Sequence, residues 1–262
     1  MNLDLSGKTA IVCGSTQGIG KATALQLAKM GANIVLVARN EVKLSSVKHE
    51  LDISKGQKHN HIKADFNLPA ELKLSVEEFI KENGPAHILV NNTGGPPGGP
   101  AIGAQTDEYT SAFNMHLISN QCLAQALVEG MKSEGYGRII NVISTSVKQP
   151  LNGLGVSNTI RGAVASWSKT LANELGGFNI TVNNVLPGAT NTVRLQSIIE
   201  TKASKTGRSI EDISNEMTNQ VPMKRFAEAV EIANAISFLA SPAASYINGI
   251  NVPVDGGRTK SL

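Results

Sequence analysis

The chain has 262 residues, 41% hydrophobic and 17% charged, with 25 glycines. That is enough apolar material for one large domain with its own core, and it excludes a disordered or fibrous chain. Twenty-four basic against 21 acidic residues leave a formal charge of +3 with no basic block, so no nucleic-acid partner is expected.

Cys13 and Cys122 lie far apart and outside any zinc-ligand spacing. Neither a disulfide framework nor a metal site is expected, and a cytoplasmic setting follows from the unpaired thiols. The first residues, Met1 to Lys8, carry Asp4 and no long apolar run, so neither a signal peptide nor a membrane partner is expected.

Short β-branched runs alternate with helix-length amphipathic stretches. Strands are predicted over Thr9 to Cys13, Asn33 to Ala38, His61 to Ala64, Ile88 to Asn91, Arg138 to Ile143, Thr181 to Leu186 and Ile250 to Val254. Helices are predicted over Lys21 to Lys29, Glu71 to Lys81, Glu108 to Met131, Gly162 to Leu175 and Ala229 to Leu239. The alternation predicts an α/β fold in one domain, residues 1–262, with a parallel sheet covered by helices on both faces. No repeat or domain linker interrupts it. Residues 189–222 break the rhythm with mixed charge and a weak helical pattern. A lid over the site is expected there, the plainer alternative being a surface helical insertion.

The first strand runs into Cys13-Gly14-Ser15-Thr16-Gln17-Gly18-Ile19-Gly20, and a helix begins at once. Free amides and the positive end of a helix dipole attract a pyrophosphate, and glycines let it approach closely. Glycines serving only as turns are the competing reading, and strand, turn and helix together favour the nucleotide. Further motifs follow in order: Asp65 after the third strand, Asn91-Asn92-Thr93-Gly94 after the fourth and Asn114 in a long helix. Ser144 ends the fifth strand, then come Pro187-Gly188 with Thr192, and Val254-Asp255-Gly256-Gly257.

Over nearly its whole length the chain resembles the short-chain dehydrogenase/reductase family, whose glycine pattern is TGxxxGIG. The resemblance implies a single-domain Rossmann fold, a doubly wound sheet of about seven strands. It also implies cofactor contacts at Gly14, Ser15, Thr16, Gln17, Gly18, Ile19 and Gly20, at Arg39 and Asn40, and at Asp65 and Phe66 beside the adenine. Asn92, Thr93 and Gly94 would run along the cofactor, Arg161 would meet the ribose, and Pro187, Gly188, Thr190 and Thr192 would surround the nicotinamide amide and phosphates. Cys13 and Thr93 stand where the family has Thr and Ala. Both are small, so they change local hydrogen bonding more than shape, and Cys13 is expected to pack within its strand.

Cofactor choice turns on the end of the second strand, where NAD-users of this fold present a carboxylate to the ribose hydroxyls. Here that position is Ala38, and Arg39 follows. A guanidinium fork holds a 2′-phosphate that an acid would repel, so NADP(H) is favoured over NAD(H). Glu41, the competing acid, lies beyond the strand and is expected to open the next helix.

Family members work with Asn, Ser, Tyr and Lys. Asn114 and Ser144 are present, but Ser157 and Arg161 stand where Tyr and Lys belong. A serine hydroxyl is far less acidic than a phenol and sits further back, and arginine keeps the charge but passes no protons. Loss of a general acid costs about 10²- to 10⁴-fold in rate. Tyr109, Tyr136 and Tyr246 are expected to pack or face solvent, His116 to be a core or interface histidine, and Lys148 a solvated cation. A water held by Ser144, Ser157 and Asn114 is the preferred proton source.

The favoured function is NADP(H)-dependent reduction of a carbonyl, or oxidation of an alcohol. The alternatives are an NADP(H)- or metabolite-binding protein that has lost redox activity, and a non-redox dehydratase or isomerase using the same pocket. The resemblance also implies a homodimer or homotetramer, paired through the helices around Asn114 and after Arg161. The small-molecule substrate is set by variable loops and is not readable. Contact with an anionic substrate is one reading of basic Arg194, Lys202, Lys205 and Arg208, but Glu200, Glu211 and Asp212 sit among them, which favours a solvated helix face.

Overall fold

The computed structural model describes residues 1–261. Its first half runs β1 (Thr9–Cys13), α1 (Gly18–Lys29), β2 (Asn33–Ala38), α2 (Glu41–His49), β3 (Asn60–Lys63), α3 (Pro69–Asn83), β4 (Ile88–Asn91), α4 (Thr106–Phe113) and α5 (Ser119–Ser133). The second half runs β5 (Gly137–Val142), α6 (Gly155–Leu175), β6 (Ile180–Pro187), β7 (Thr190–Asn191), α7 (Val193–Thr206), α8 (Ile210–Asn219), β8 (Ala227–Glu228), α9 (Ala229–Ala240) and β9 (Asn251–Val254).

Seven parallel strands form one sheet in the order β3-β2-β1-β4-β5-β6-β9. Helices cover both faces, so alternate residues of one strand enter different cores. Val12 packs with Leu27, Leu36 and Ile236 on the α1/α9 face, while its neighbour Ile11 packs with Leu89, Leu123 and Val182 on the other. Strand order reverses between β1 and β4, and a ligand crevice opens beyond strand ends at such a reversal. Among the described residues no helix is long and apolar enough to cross a membrane.

Three features depart from the pattern read in the sequence. The single helix expected from Glu108 to Met131 is divided: α4 and α5 are joined by a π-helical turn, Asn114–Ile118, that begins at Asn114. Such turns re-aim side chains and cluster at functional sites. Helix α6 starts at Gly155, about two turns before the predicted Gly162, although Gly155, Ser157, Asn158 and Thr159 are weak helix formers. Tertiary contacts override propensity there, since Val156 and Ile160 pack on Ala112, and Asn158 Nδ2 donates to the Leu151 carbonyl at 2.8 Å.

The third departure is the 189–222 segment, which contains two full helices. Thr192 caps α7 by accepting from Leu195 N, and Ser209 caps α8 by accepting from Asp212 N at 3.0 Å. Between them Gly207 takes a left-handed φ of 66°. Leu195, Ile199, Ala203 and Ile213 form a small core of their own.

An asparagine ladder crosses four strands. Asn91 Nδ2 donates to Asn141 Oδ1 at 2.8 Å, Asn141 Nδ2 to Asn184 Oδ1 at 3.0 Å, and Asn184 Nδ2 to Asn251 Oδ1 at 2.8 Å. Each pair is also in backbone register.

Candidate active site

The turn after β1 is built to receive a phosphate group. A Cβ at Gly14 would lie 2.5 Å from the Asn92 carbonyl oxygen, and one at Gly20 would collide with the Gly14 carbonyl, so side chains are excluded there. Asn92 braces the turn through Nδ2, donating to the Cys13 carbonyl at 3.2 Å. The α1 N-terminus has no side-chain cap and no acid in its first turn, which leaves its amides to a ligand. Ser15 Oγ is buried beside them without a protein partner. Thr192 closes the other side: a Cβ at Gly18 would lie 3.2 Å from Thr192 Cγ2. These features fit a dinucleotide diphosphate. Cys13 is fully buried, and that burial pushes its thiol up to about 12, so it packs and does not react at neutral pH.

At the adenosine end, Arg39 is exposed just past β2. Glu41 opens α2, as its position beyond the strand suggests, and its carboxylate lies 3.9 Å from Lys63. Asn40 spends its Oδ1 capping α2, accepting from Lys43 N at 2.9 Å. Asp65 accepts from the main chain and side chain of Asn67 at 2.9 and 3.0 Å. The Phe66 ring is committed to the core and its carbonyl accepts from Ser119 Oγ, so any adenine contact from Phe66 falls to its remaining main chain.

At the other end, Pro187 ends β6, and Gly188 N donates to the Val254 carbonyl at 2.9 Å. Gly188 is bare because a Cβ would lie 2.7 Å from Asp255 Cα. Thr190 Oγ1 donates back to Gly188 O at 3.0 Å, and the Thr192 hydroxyl donates to Thr190 O while capping α7.

Ser144 follows β5, and its Oγ accepts from Ser146 N at 3.1 Å, which leaves its own O–H free to donate. Ser157 and Arg161 are one turn apart on α6, so they share a face. Ser157 is half-buried in the first turn. Arg161 is only 8% exposed, and its Nη1 donates to the Val142 carbonyl at 3.2 Å, two residues before Ser144. Burial first, and the Arg194 charge second, hold the Arg161 guanidinium down to about 10, which still leaves it cationic at neutral pH. Half-buried Asn114 starts the π turn.

His116 occupies the same turn, 2% exposed, with Nδ1 2.6 Å from Thr93 Oγ1 and Nε2 buried without a partner. Burial, and then the Arg161 charge, push its pKa down to about 2, so the ring is neutral and carries no proton to donate as an acid. The Thr93 departure from the family pattern thus creates the partner for His116. Tyr136 Oη donates to the Ala240 carbonyl at 2.7 Å, Tyr109 Oη reaches the Ala101 carbonyl at 3.5 Å and Tyr246 is fully exposed, so the three tyrosines pack or face solvent.

Arg194 is exposed, as read from the sequence, and makes one link that the sequence did not show. Lys202 and Arg208 both pair with Glu216, but the Arg194 Nη2 donates to the Pro96 carbonyl at 2.8 Å, joining α7 to the loop after β4. That loop is tied in turn to the start of α6, through Gly99 N to Gly153 O at 2.8 Å and Gly155 N to Gly99 O at 2.9 Å. Neither link has a signature in local sequence.

The arrangement has counterparts among known proteins. Residues 14–259 match the family model described as enoyl-(acyl carrier protein) reductase. The chain is 30% identical over 261 residues to the 3-oxoacyl-[acyl-carrier-protein] reductase of Pseudomonas aeruginosa, across 99% of this chain and 100% of that one. It is 29% identical over 259 residues to the NADPH-dependent reductase BacG of Bacillus subtilis, across 98% of this chain and 100% of that one. The structure of L-sorbose reductase from Gluconobacter frateurii, solved with NADPH and L-sorbose, superposes with a TM-score of 0.93 at 34% identity over 100% of both chains. The fold and the glycine cradle therefore have one source. The chain belongs to the short-chain dehydrogenase/reductase family, and it is an oxidoreductase of that class.

Proposed function

We propose that the protein is an NADP(H)-dependent oxidoreductase acting on a carbonyl or the corresponding alcohol, with water in place of the usual phenol as proton source. The observation that carries the reading is the bare cradle at Gly14 and Gly20, with Ser15 Oγ left unpaired beside an uncapped helix N-terminus. BacG is an NADPH-dependent reductase and the L-sorbose reductase structure holds NADPH, which supports the choice of cofactor.

When bound, the cofactor supplies a hydride. Gly14 to Gly20 and the α1 amides would hold its diphosphate, Arg39 its 2′-phosphate, and Asn92 to Gly94 with Pro187 to Thr192 its nicotinamide half. Ser144 donates its free O–H to the substrate oxygen, which polarises the carbonyl. Arg161 keeps a positive charge near the Ser144 backbone through its bond to Val142 O. Ser157, too short to reach as a phenol does, orders the water that delivers the proton, together with Asn114.

The bond to Val142 O also favours a second reading, a cofactor-binding protein without turnover, because one guanidinium donor is committed to the main chain. Absorbance-monitored NADPH oxidation across a carbonyl panel separates the two. The enzyme reading expects slow turnover, and Ser157→Tyr with Arg161→Lys should raise kcat about 100-fold, within the usual worth of a general acid. Tight NADPH binding with no turnover, in both the natural chain and the double variant, would contradict it.

A further inference from the structure

We infer that His116 is a positioning residue for the cofactor: its ring fixes the Thr93 hydroxyl, and that hydroxyl hydrogen-bonds the ribose on the nicotinamide side. The inference rests on the NADP(H) reading for its ligand. Its own basis is the order of the strand ends and the hydrogen bonding of one buried ring.

Thr93 stands where a dinucleotide must pass. The cradle lies at the end of β1 and Ser144 at the end of β5, and β4 runs between them, with Thr93 just past its end. The peptide between Asn92 and Thr93 is pressed on the cradle, since a Cβ at Gly14 would lie 2.5 Å from the Asn92 carbonyl oxygen and 3.2 Å from its carbon. A cofactor with its diphosphate at β1 and its reacting ring at Ser144 therefore crosses β4 with the group that joins the two, which is a ribose. Here this chain presents a half-buried hydroxyl, where the family has the methyl group of Ala.

His116 holds that hydroxyl from the other side. It belongs to the π turn that begins at Asn114 and is 2% exposed, and its Nδ1 lies 2.6 Å from Thr93 Oγ1. Nε2 is buried without a protein partner, so Thr93 is the ring's one hydrogen-bond partner among the described residues. An unpaired buried polar group is a cost that an apolar side chain would avoid. Fixing Thr93 is what the ring gives in return. The ring is neutral, and whichever nitrogen holds its proton, the bond uses only one of the two functions of the hydroxyl. With the proton on Nδ1 the Thr93 O–H is left to donate; with Nδ1 bare the Thr93 oxygen is left to accept. A ribose hydroxyl both donates and accepts, so it completes either arrangement. Thr93 makes no other side-chain hydrogen bond among the described residues, which leaves that second function to a ligand.

The test is calorimetric titration with three ligands: NADPH, 2′-phospho-ADP-ribose, which keeps that ribose and lacks the nicotinamide ring, and adenosine 2′,5′-bisphosphate, which lacks both. The proteins are the natural chain, Thr93→Ala, Thr93→Ser, His116→Phe and the double variant of Thr93→Ala with His116→Phe, each shown to be folded by its melting curve. Thr93→Ala should weaken NADPH and 2′-phospho-ADP-ribose by about 3- to 10-fold, the net worth of one hydrogen bond, and adenosine 2′,5′-bisphosphate by less than about twofold. Thr93→Ser should keep most of the affinity for all three. His116→Phe should weaken NADPH by about threefold, and Thr93→Ala should cost less in that background than alone, since the histidine acts through the hydroxyl. Unchanged NADPH affinity in Thr93→Ala would overturn the inference, as would an equal loss for all three ligands, which is what a merely structural role gives. A loss confined to NADPH would move the contact to the nicotinamide ring and overturn the ribose assignment, and additive losses in the double variant would take His116 out of it. If His116→Phe does not fold, His116→Gln takes its place, and Thr93→Ala carries the residue the family has there. Failure of the natural chain to bind NADPH would remove the NADP(H) reading and this inference with it, whereas NADPH binding that Thr93→Ala leaves unchanged would remove the inference alone.

Discussion

His116 shows how one neutral ring ties the site to stability. Burial, and then the Arg161 charge, push its pKa down to about 2 in the folded protein, whereas an unfolded histidine titrates near about 6.5. Below about 6.5 the unfolded chain therefore takes up a proton that the folded one refuses, and stability falls as pH falls, by up to about 1.4 kcal/mol per unit for this residue. His87 is displaced in the same direction, by burial and then by Lys8, and adds to the slope. Urea midpoints at pH 7.5 and pH 5 check this. The loss between them should be smaller in His116→Gln than in the natural chain, and equal losses would contradict the burial account. The sequence allowed a core histidine at this position, but its partner was not legible, because Thr93 and His116 are brought together by a strand end and a helix turn 23 residues apart.

Elements were legible where periodicity carried them. The seven strands of the sheet appear within a residue or so of their predicted bounds, the five inner ones because they lie buried between helix layers, while the edge strands β3 and β9 are only partly buried. What was lost lay in turns governed by other forces. The π turn at Asn114 leaves the apolar period nearly unchanged, and the start of α6 is fixed by Asn158 on the Leu151 main chain. Helices α7 and α8 had readable caps in Thr192, Gly207 and Ser209, but their mixed charge masked the apolar stripe of Leu195, Ile199 and Ala203. The asparagine ladder was visible only as isolated polar residues within apolar strands. Its centre, Asn141, also donates to Ser168 Oγ at 3.3 Å, so it joins three strands and α6. Asn141→Leu would strand buried partners on both sides, at roughly 1–3 kcal/mol each. Chemical denaturation should show a loss of at least about 2 kcal/mol, and an unchanged midpoint would mean the ladder is neutral.

At the scale of the whole molecule, one sheet presents the cradle from the end of β1 and Ser144 from the end of β5, with β4 between them, and residues 189–222 have a separate small core and reach the cradle through Thr192 and the loop after β4 through Arg194. We propose that this segment closes as a lid over bound cofactor, with Arg194 on Pro96 as its latch. Amide exchange over residues 193–219 should slow several-fold when NADPH is added, and unchanged exchange would contradict closure. The family and the cofactor end of the site were legible because diphosphate binding needs glycines at fixed spacing after a strand. The substrate end was not, since its links join separate segments that meet only in the fold: Arg194 to Pro96, and Arg161 to the Val142 main chain.

The central claim is that this chain binds NADP(H) in the glycine cradle, with Arg39 on the 2′-phosphate. Calorimetric titration with NADPH and with NADH, on the natural chain and on Arg39→Ser, tests it most directly. The account predicts that NADPH binds more tightly than NADH and that Arg39→Ser weakens NADPH by roughly 10- to 100-fold, the worth of a charge-assisted hydrogen bond. NADH binding as tightly as NADPH, or no binding of either, would contradict it.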